Sequence, residues 1–318
     1  MIFNLHGIRF KVDSKNSEFL EYLKFRFQKF FCNKDKIDIR FCVKFNKFPQ
    51  SLSFYERRSP NFYSHQNKFI IKKENVVIFY DLNNSPLEVT IYFYPKKTKH
   101  LARLFFKGKK DTWRDYYEHF IIWRGIQNTL LALLEQKGLS VLHASAIKSD
   151  LGATLFFGLG GIGKTTLALN LAFSKNLKLM GDNFILTDGK NTYPFLEPIT
   201  ITNFKKRVLG SRLKQLLKKN ENFNSYFLRD NYSYNSVSEI KNMVFLGVSQ
   251  KSNLTQMNKS KSLKLIENTL KILGETPEFT ELNMVFSKKK IKFNSKIRFY
   301  KLNYKNFKEA EKIIEKIL

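Results

Sequence analysis

The first third of the chain alternates apolar and polar residues with a period of two. Ile8-Arg9-Phe10-Lys11-Val12 is the clearest instance, and residues 37–45, 68–71, 76–80 and 89–94 repeat it. Such alternation predicts half-buried strands, because successive side chains of a strand face opposite ways. Lys73-Glu74-Asn75 and Asn83-Asn84-Ser85-Pro86 supply turn chemistry between them. Residues 17–31 break the pattern: Phe19, Leu20, Leu23, Phe27 and Phe30 fall at helical spacing. Residues 1–108 are therefore expected to form a β-rich accessory region with one helix.

Residues 111–136 read as a long helix, with Asp111 as N-cap and Gly138 as C′ residue. Tyr116, Phe120, Trp123, Gln127, Leu130 and Leu134 trace one face. Leu130-Leu131-Ala132-Leu133-Leu134 is apolar nearly all round, so that end is expected to be buried. A connecting helix over 109–138 is expected to join two halves.

Residues 139–147 read as a strand, 148–152 as a turn and 153–157 as a second strand. A link this short permits an antiparallel hairpin and no parallel crossover. A helix is expected over 164–173, then a strand at 177–180 that runs into Gly181-Asp182-Asn183 and continues through residue 187. Downstream, 207–219 reads as a basic helix, 220–238 as a polar loop, and 243–248 as a buried strand. A helix at 262–273, a strand at 297–302 and a closing helix at 305–318 complete the pattern. The expected class is α/β (α+β overall), with a P-loop domain on a mixed sheet over 139–318.

Between the strand at 153–157 and the helix at 164–173 lies Gly158-Leu159-Gly160-Gly161-Ile162-Gly163-Lys164-Thr165. It fits Gly-x-x-x-x-Gly-Lys-Thr, in the strand-to-helix context that gives the pattern its meaning. Glycines let backbone N–H groups turn inward and approach phosphate oxygens closely. The helix that follows presents its positive end to the same anion. Lys164 is expected to reach the β- and γ-phosphates of ATP, Thr165 to place its hydroxyl on Mg²⁺, and Thr166 to add a hydroxyl near the α-phosphate. Phosphoryl transfer also needs a group that takes the proton of the nucleophile. Asp182 ends an apolar strand one helix after the loop. A right-handed crossover is expected to bring that strand beside the loop's own strand.

Charge and cysteine content narrow the classes. The net charge is +29, but the lysines are scattered, with short clusters at Lys107–Lys110 and Lys288–Lys290. A generically basic surface is expected, without specific nucleic-acid recognition. The two cysteines, Cys32 and Cys42, lack metal-site spacing. No signal peptide and no membrane span is read, so a cytoplasmic protein is expected, with a homo-oligomer left open.

The stretch from Val141 to Asp188 resembles the HPr kinase/phosphorylase superfamily, in particular its HPr-kinase-like relatives. Leu142-His143-Ala144-Ser145-Ala146, Gly158 to Thr166 and Leu177 to Ile185 carry the resemblance. Phosphoenolpyruvate carboxykinases share this type of nucleotide-binding core. The resemblance implies that Asp182 is the acid/base residue and that His143 lies near the active site. It also implies a second acidic position, which is Asn183 here. Thr165, Asp182 and Asn183 are then the expected Mg²⁺ ligands, and Lys164, Asp182 and His143 the expected catalytic residues. The downstream motif that binds the HPr protein is not matched. The expected activity is an ATP-dependent phosphotransferase acting on a hydroxyl of a protein, peptide or small molecule. Asn183 motivates one alternative, a nucleotide-binding switch. The charge motivates another, a nucleic-acid-associated NTPase.

Overall fold

The computed structural model describes residues 1–94 except 34, 35, 50 and 74. It also describes residues 117–318 except 196, 200–207, 221–224, 234, 235, 275, 276, 288 and 290. Asp111, Tyr116, Lys107–Lys110, Lys288 and Lys290 lie outside the described residues. The chain is of mixed α/β character and divides into two compact units. One comprises 1–136 with 276–288, the other 137–275 with 289–318.

The first unit is built on a nine-stranded sheet. Its strands are β1 (Ile2–Leu5), β2 (Ile8–Ser14), β3 (Phe31–Cys32), β4 (Ile39–Lys44), β5 (Glu56–Ser59), β6 (Phe62–His65), β7 (Lys68–Lys73), β8 (Val76–Asp81) and β9 (Leu87–Phe93). Their order is β3-β1-β2-β4-β9-β8-β7-β6-β5, with β2, β4 and β9 parallel. The alternating segments all became strands, and β1, β3, β5 and β6 add short ones that periodicity does not resolve. Helix α1 (Ser17–Arg26) starts where Asn16 accepts a hydrogen bond from the Phe19 N–H at 2.8 Å. That cap satisfies one of the first-turn donors. Phe3, Phe10, Phe19, Phe27 and Phe41 are fully buried. Each such ring contributes roughly 1.5–3 kcal/mol by leaving water.

The long helix α2 begins in π winding (Tyr117–Gln127) and continues as α-helix (Asn128–Gln136). Its apolar end is buried as expected, at Leu130, Leu131 and Leu134. It packs within the first unit, and so does the helix Pro277–Val285 (α6 in chain order). The expectation of an uninterrupted 139–318 domain therefore differs from what is seen. The reason is apolar: Leu282 and Phe286 are buried, and Phe286 sits edge-on to Tyr80.

The second unit contains β10 (Ser140–Leu142), β11 (Ser145–Ser149), β12 (Gly152–Phe157), β13 (Lys178–Gly181), β14 (Ile185–Thr187), β15 (Asn191–Tyr193), β16 (Leu217–Asn220), β17 (Ser225–Leu228), β18 (Ser238–Val248), β19 (Asn253–Gln256) and β20 (Arg298–Tyr304). The main sheet runs β10-β14-β15-β18-β12-β11-β13, and β20 pairs with β18 and β19. β11 and β12 form the expected antiparallel hairpin, and β12 pairs in parallel with β18. β12 is buried along its whole length. Phe156 enters one core with Leu167, Leu171 and Leu302, while Leu155 and Phe157 enter another with Met180, Met243 and Phe245. Helices α3 (Lys164–Ser174), α4 (Arg212–Leu216), α5 (Lys259–Gly274) and α7 (Phe307–Ile314) complete the unit.

Three expectations are corrected here. First, β13 does not lie beside β12. The hairpin occupies that edge first, so β11 separates the two and β13 pairs with β11. Two antiparallel pairings in succession leave β13 parallel to β12, so both strands end on the same edge of the sheet. Second, 139–147 and 177–187 are not continuous strands. Each breaks and changes partners: β10 pairs with β14, β11 with β13. The breaks fall at His143-Ala144 and at residues 182–184. Third, the basic helix expected over 207–219 is broken in its described part: Val208 and Leu209 are helical, a turn follows, and α4 covers Arg212–Leu216. Leu217 then starts a hairpin with β17, whose Phe227 and Leu228 are buried inside the expected polar loop.

Candidate active site

Residues 158–165 leave the end of β12 and enter α3. Gly158, Gly161 and Gly163 take φ of 147°, 78° and 102°, a region that residues with a Cβ adopt at a cost. Gly163 is required twice over. It caps α3 in the left-handed conformation, and a Cβ there would lie 2.5 Å from the Phe307 ring. No side chain caps α3, so its first-turn N–H groups keep the polarity that attracts an anion. Gly160 and Gly161 are exposed, with nothing within 4 Å of where a Cβ would be, and Leu159 is 74 % exposed. The top of the loop is therefore open.

Below it, Lys164 is only 7 % exposed. Its Nζ donates to the Gly158 carbonyl at 2.8 Å and the Leu159 carbonyl at 3.3 Å. Burial pushes its pKa down, and the nearby Asp182 charge works against that. Thr165, half-buried, donates its hydroxyl to Asp182 Oδ1 at 2.6 Å. Thr166 is buried.

The two strand breaks bring the remaining residues together. Leu142 pairs with Ile185 and Ala146 with Gly181, so His143-Ala144 lies opposite residues 182–184. Gly181 is needed at the approach: a Cβ there would lie 2.7 Å from Ile185 Cδ1 and 3.0 Å from the Phe184 and Phe195 carbonyls. His143 is half-buried, and its pKa is lowered by burial first and by Lys164 second, with Asp182 opposing. Its neutral form is favoured. Asn183 has φ of 76° at the crossing. Asn tolerates this left-handed conformation better than most residues with a Cβ, so its identity has a backbone reason as well as a chemical consequence.

Three further residues complete the arrangement: Ser145 lies in a stretch that carries the resemblance but has no role assigned by it, and no sequence motif marks Tyr304 or Phe307. Ser145 Oγ donates to Asp182 Oδ1 at 2.7 Å. The Tyr304 hydroxyl donates to the Ile162 carbonyl within the loop, and burial raises its pKa. Phe307 supports Gly163 from below. Ser145 lies two residues beyond His143 without a distinguishing spacing. Tyr304 and Phe307 reach the loop only through the parallel pairing of β20 with β18.

The fit of a magnesium ion can be judged from the donors. Thr165 Oγ1 and Asp182 Oδ1 are hard oxygens 2.6 Å apart beside the loop. Mg²⁺ takes one or two protein oxygens and completes its shell with water and phosphate oxygens, so these residues fit it. Among the described residues no cluster of three or more His, Cys, Asp or Glu side chains could cage a metal, and no helix is long and apolar enough to cross a membrane.

No protein-family model matches the chain, and no curated protein matches it. Among solved structures it is distantly similar to the HPr(Ser) kinase/phosphatase from Coxiella burnetii. The match covers 56% of this chain and 95% of that chain, at 12% identity and a TM-score of 0.29.

Proposed function

We propose that the protein is an ATP-dependent phosphotransferase that moves the γ-phosphate to a hydroxyl of a protein, peptide or small molecule. The observation that carries this reading is the contact at 2.6 Å between Thr165, on the first turn after the glycine loop, and Asp182. It joins an anion cradle to a carboxylate at one sheet edge.

In this reading the loop amides and the first turn of α3 hold the phosphates of ATP. Lys164 gives up its carbonyl partners and turns to the β- and γ-phosphate oxygens, where it stabilises charge as the phosphoryl group moves. The acceptor hydroxyl loses its proton to Asp182. Its oxygen forms the new bond to the γ-phosphorus, the bond from that phosphorus to the bridging oxygen breaks, and ADP leaves. Bound Mg²⁺, held by Thr165 and Asp182 with Asn183 offering a neutral oxygen, would neutralise charge on the β- and γ-phosphates. A neutral His143 adds no second positive charge beside Lys164 and can hold the acceptor by a hydrogen bond.

The test is transfer from γ-labelled ATP. Asp182→Asn keeps the shape and removes the base, so nucleotide binding is expected to persist while transfer falls by roughly 10²-fold or more. Undiminished transfer by the variant would remove Asp182 from the role. The single carboxylate at 182, with Asn at 183, favours a second reading as a nucleotide-binding switch; tight ATP binding without any turnover would select it. Turnover that appears only with DNA or RNA would select a nucleic-acid-associated NTPase instead.

A further inference from the structure

Two hydroxyls of different origin hold Asp182. Thr165 belongs to α3 and donates at 2.6 Å; Ser145 belongs to β11 and donates at 2.7 Å. Both reach the same oxygen, Oδ1, and Oδ2 accepts from neither. The torsion that rotates a carboxylate about its last bond is broad, so a single donor leaves the plane of the group poorly set. Two donors converging on one oxygen from different elements define it.

Ser145 is suited to this and to little else. It is fully buried, where a hydroxyl left without a partner is costly. It begins β11, the strand that intervenes between the loop's strand and β13. It follows the break at His143-Ala144, which is what points the start of β11 at the end of β13. The intervening strand thus contributes a side chain to the site.

We infer that Ser145 is a positioning residue: together with Thr165 it fixes Asp182 Oδ1, so that Oδ2 is the oxygen presented to the acceptor hydroxyl. The inference rests on the proposed role of Asp182 as proton acceptor. In this assignment Ser145 acts through the carboxylate that it bonds.

A double-mutant cycle tests it. Wild type, Ser145→Ala, Asp182→Asn and the double variant are assayed with γ-labelled ATP and a degenerate mixture of serine-containing peptides, with phosphate release to water read in the same reactions. Thermal melts establish that each variant is folded. Ser145→Ala is expected to lower kcat about tenfold, below the roughly 10²-fold attached to a 1 Å misplacement, with KM for ATP unchanged within about twofold. On the Asp182→Asn background the same substitution is expected to cost nothing further, because the group it positions is gone. Ser145→Cys, which keeps the volume and a weak donor, is expected to fall between, and it carries the cycle if Ser145→Ala does not fold. An equal loss on both backgrounds, or a wild-type kcat for Ser145→Ala while Asp182→Asn is impaired, overturns the inference and leaves the role of Asp182 standing. Full transfer by Asp182→Asn, or no transfer by wild type, overturns both.

Discussion

Arg26 in the first unit and Lys164 in the second are both buried cations, 2 % and 7 % exposed, yet their surroundings differ in kind. Arg26 donates to Glu118 at 3.0 Å and to Gln127 at 2.8 Å, and Tyr22 donates to the same Glu118 at 2.9 Å. A formal charge meets a formal charge. The hydrogen bonds of Lys164 go to two main-chain carbonyls, and its pKa is pushed down by burial. The first arrangement neutralises a charge and ties a helix to a helix. The second leaves a buried charge hydrogen-bonded only to dipoles, with the Asp182 carboxylate nearby but not bonded to it, at the base of a loop whose top is open. Burial of a cation therefore does not by itself mark a site; the lack of a directly bonded counter-charge does.

The sharpest way to break this comparison is to remove each cation without ligand present. Arg26→Ala strands Glu118 and Gln127, and about 3 kcal/mol of stability is expected to be lost in urea unfolding. That is the lower end for a broken buried pair, because Glu118 is itself 33 % exposed. Lys164→Ala removes a charge that burial already disfavours, so its stability is expected to stay within about 0.5 kcal/mol of wild type, as for substitutions outside a named stabilising feature. Equal losses in the two variants would erase the distinction.

A smaller effect is expected at the loop's support. Tyr304→Phe removes the hydroxyl that meets the Ile162 carbonyl and keeps the ring. One such hydrogen bond is worth about 1 kcal/mol, so ATP affinity is expected to fall about fivefold by calorimetric titration, with the melt nearly unchanged. Unaltered affinity would show that the loop holds its shape without β20.

His143 gives a pH signature. Burial and Lys164 lower its pKa below the ordinary value of 6.5. Between the folded and the ordinary value, the unfolded chain carries the proton and the folded chain does not, so stability rises with pH there. The contribution is complete above 6.5 and is lost as pH falls through the folded value. His143→Gln is expected to remove that slope when urea stabilities at about pH 5 and pH 7.5 are compared. An unchanged slope would place the titration elsewhere. The smallest effect is expected for Asn183→Asp. Asp also adopts the left-handed conformation, so the fold is expected to tolerate it within about 0.5 kcal/mol, measured in urea. A large loss would mean that the amide itself holds the crossing.

How much of this was legible beforehand follows from how local each feature is. The glycine loop spans eight consecutive residues, so its pattern is read in place. Asp182 was visible because an apolar strand ends there. Its neighbour was misjudged, because nothing in residues 139–157 says that the hairpin takes the near edge of β12. The breaks at His143 and at residues 182–184 were hidden because Val141, Leu142, Ala146 and Ile147 around the first, and Leu179, Met180, Ile185 and Leu186 around the second, are apolar whichever sheet they join. Ser145 has no spacing that sets it apart from Lys148 and Ser149 in the same strand, and Tyr304 lies 142 residues from Ile162 along the chain. Only the tertiary fold pairs them. Helix Pro277–Val285 returns to the first unit through packing that periodicity cannot assign to a partner.

The central claim is that residues 158–165, with Lys164 at their base, are a nucleotide site. A thermal-shift titration with Mg·ATP on wild type and Lys164→Ala tests it most directly, since a ligand that binds only the folded state stabilises it by mass action. Saturating stabilisation of wild type, with little or none in Lys164→Ala at the same concentrations, is the result expected. The same stabilisation in both, or none in wild type, would contradict it.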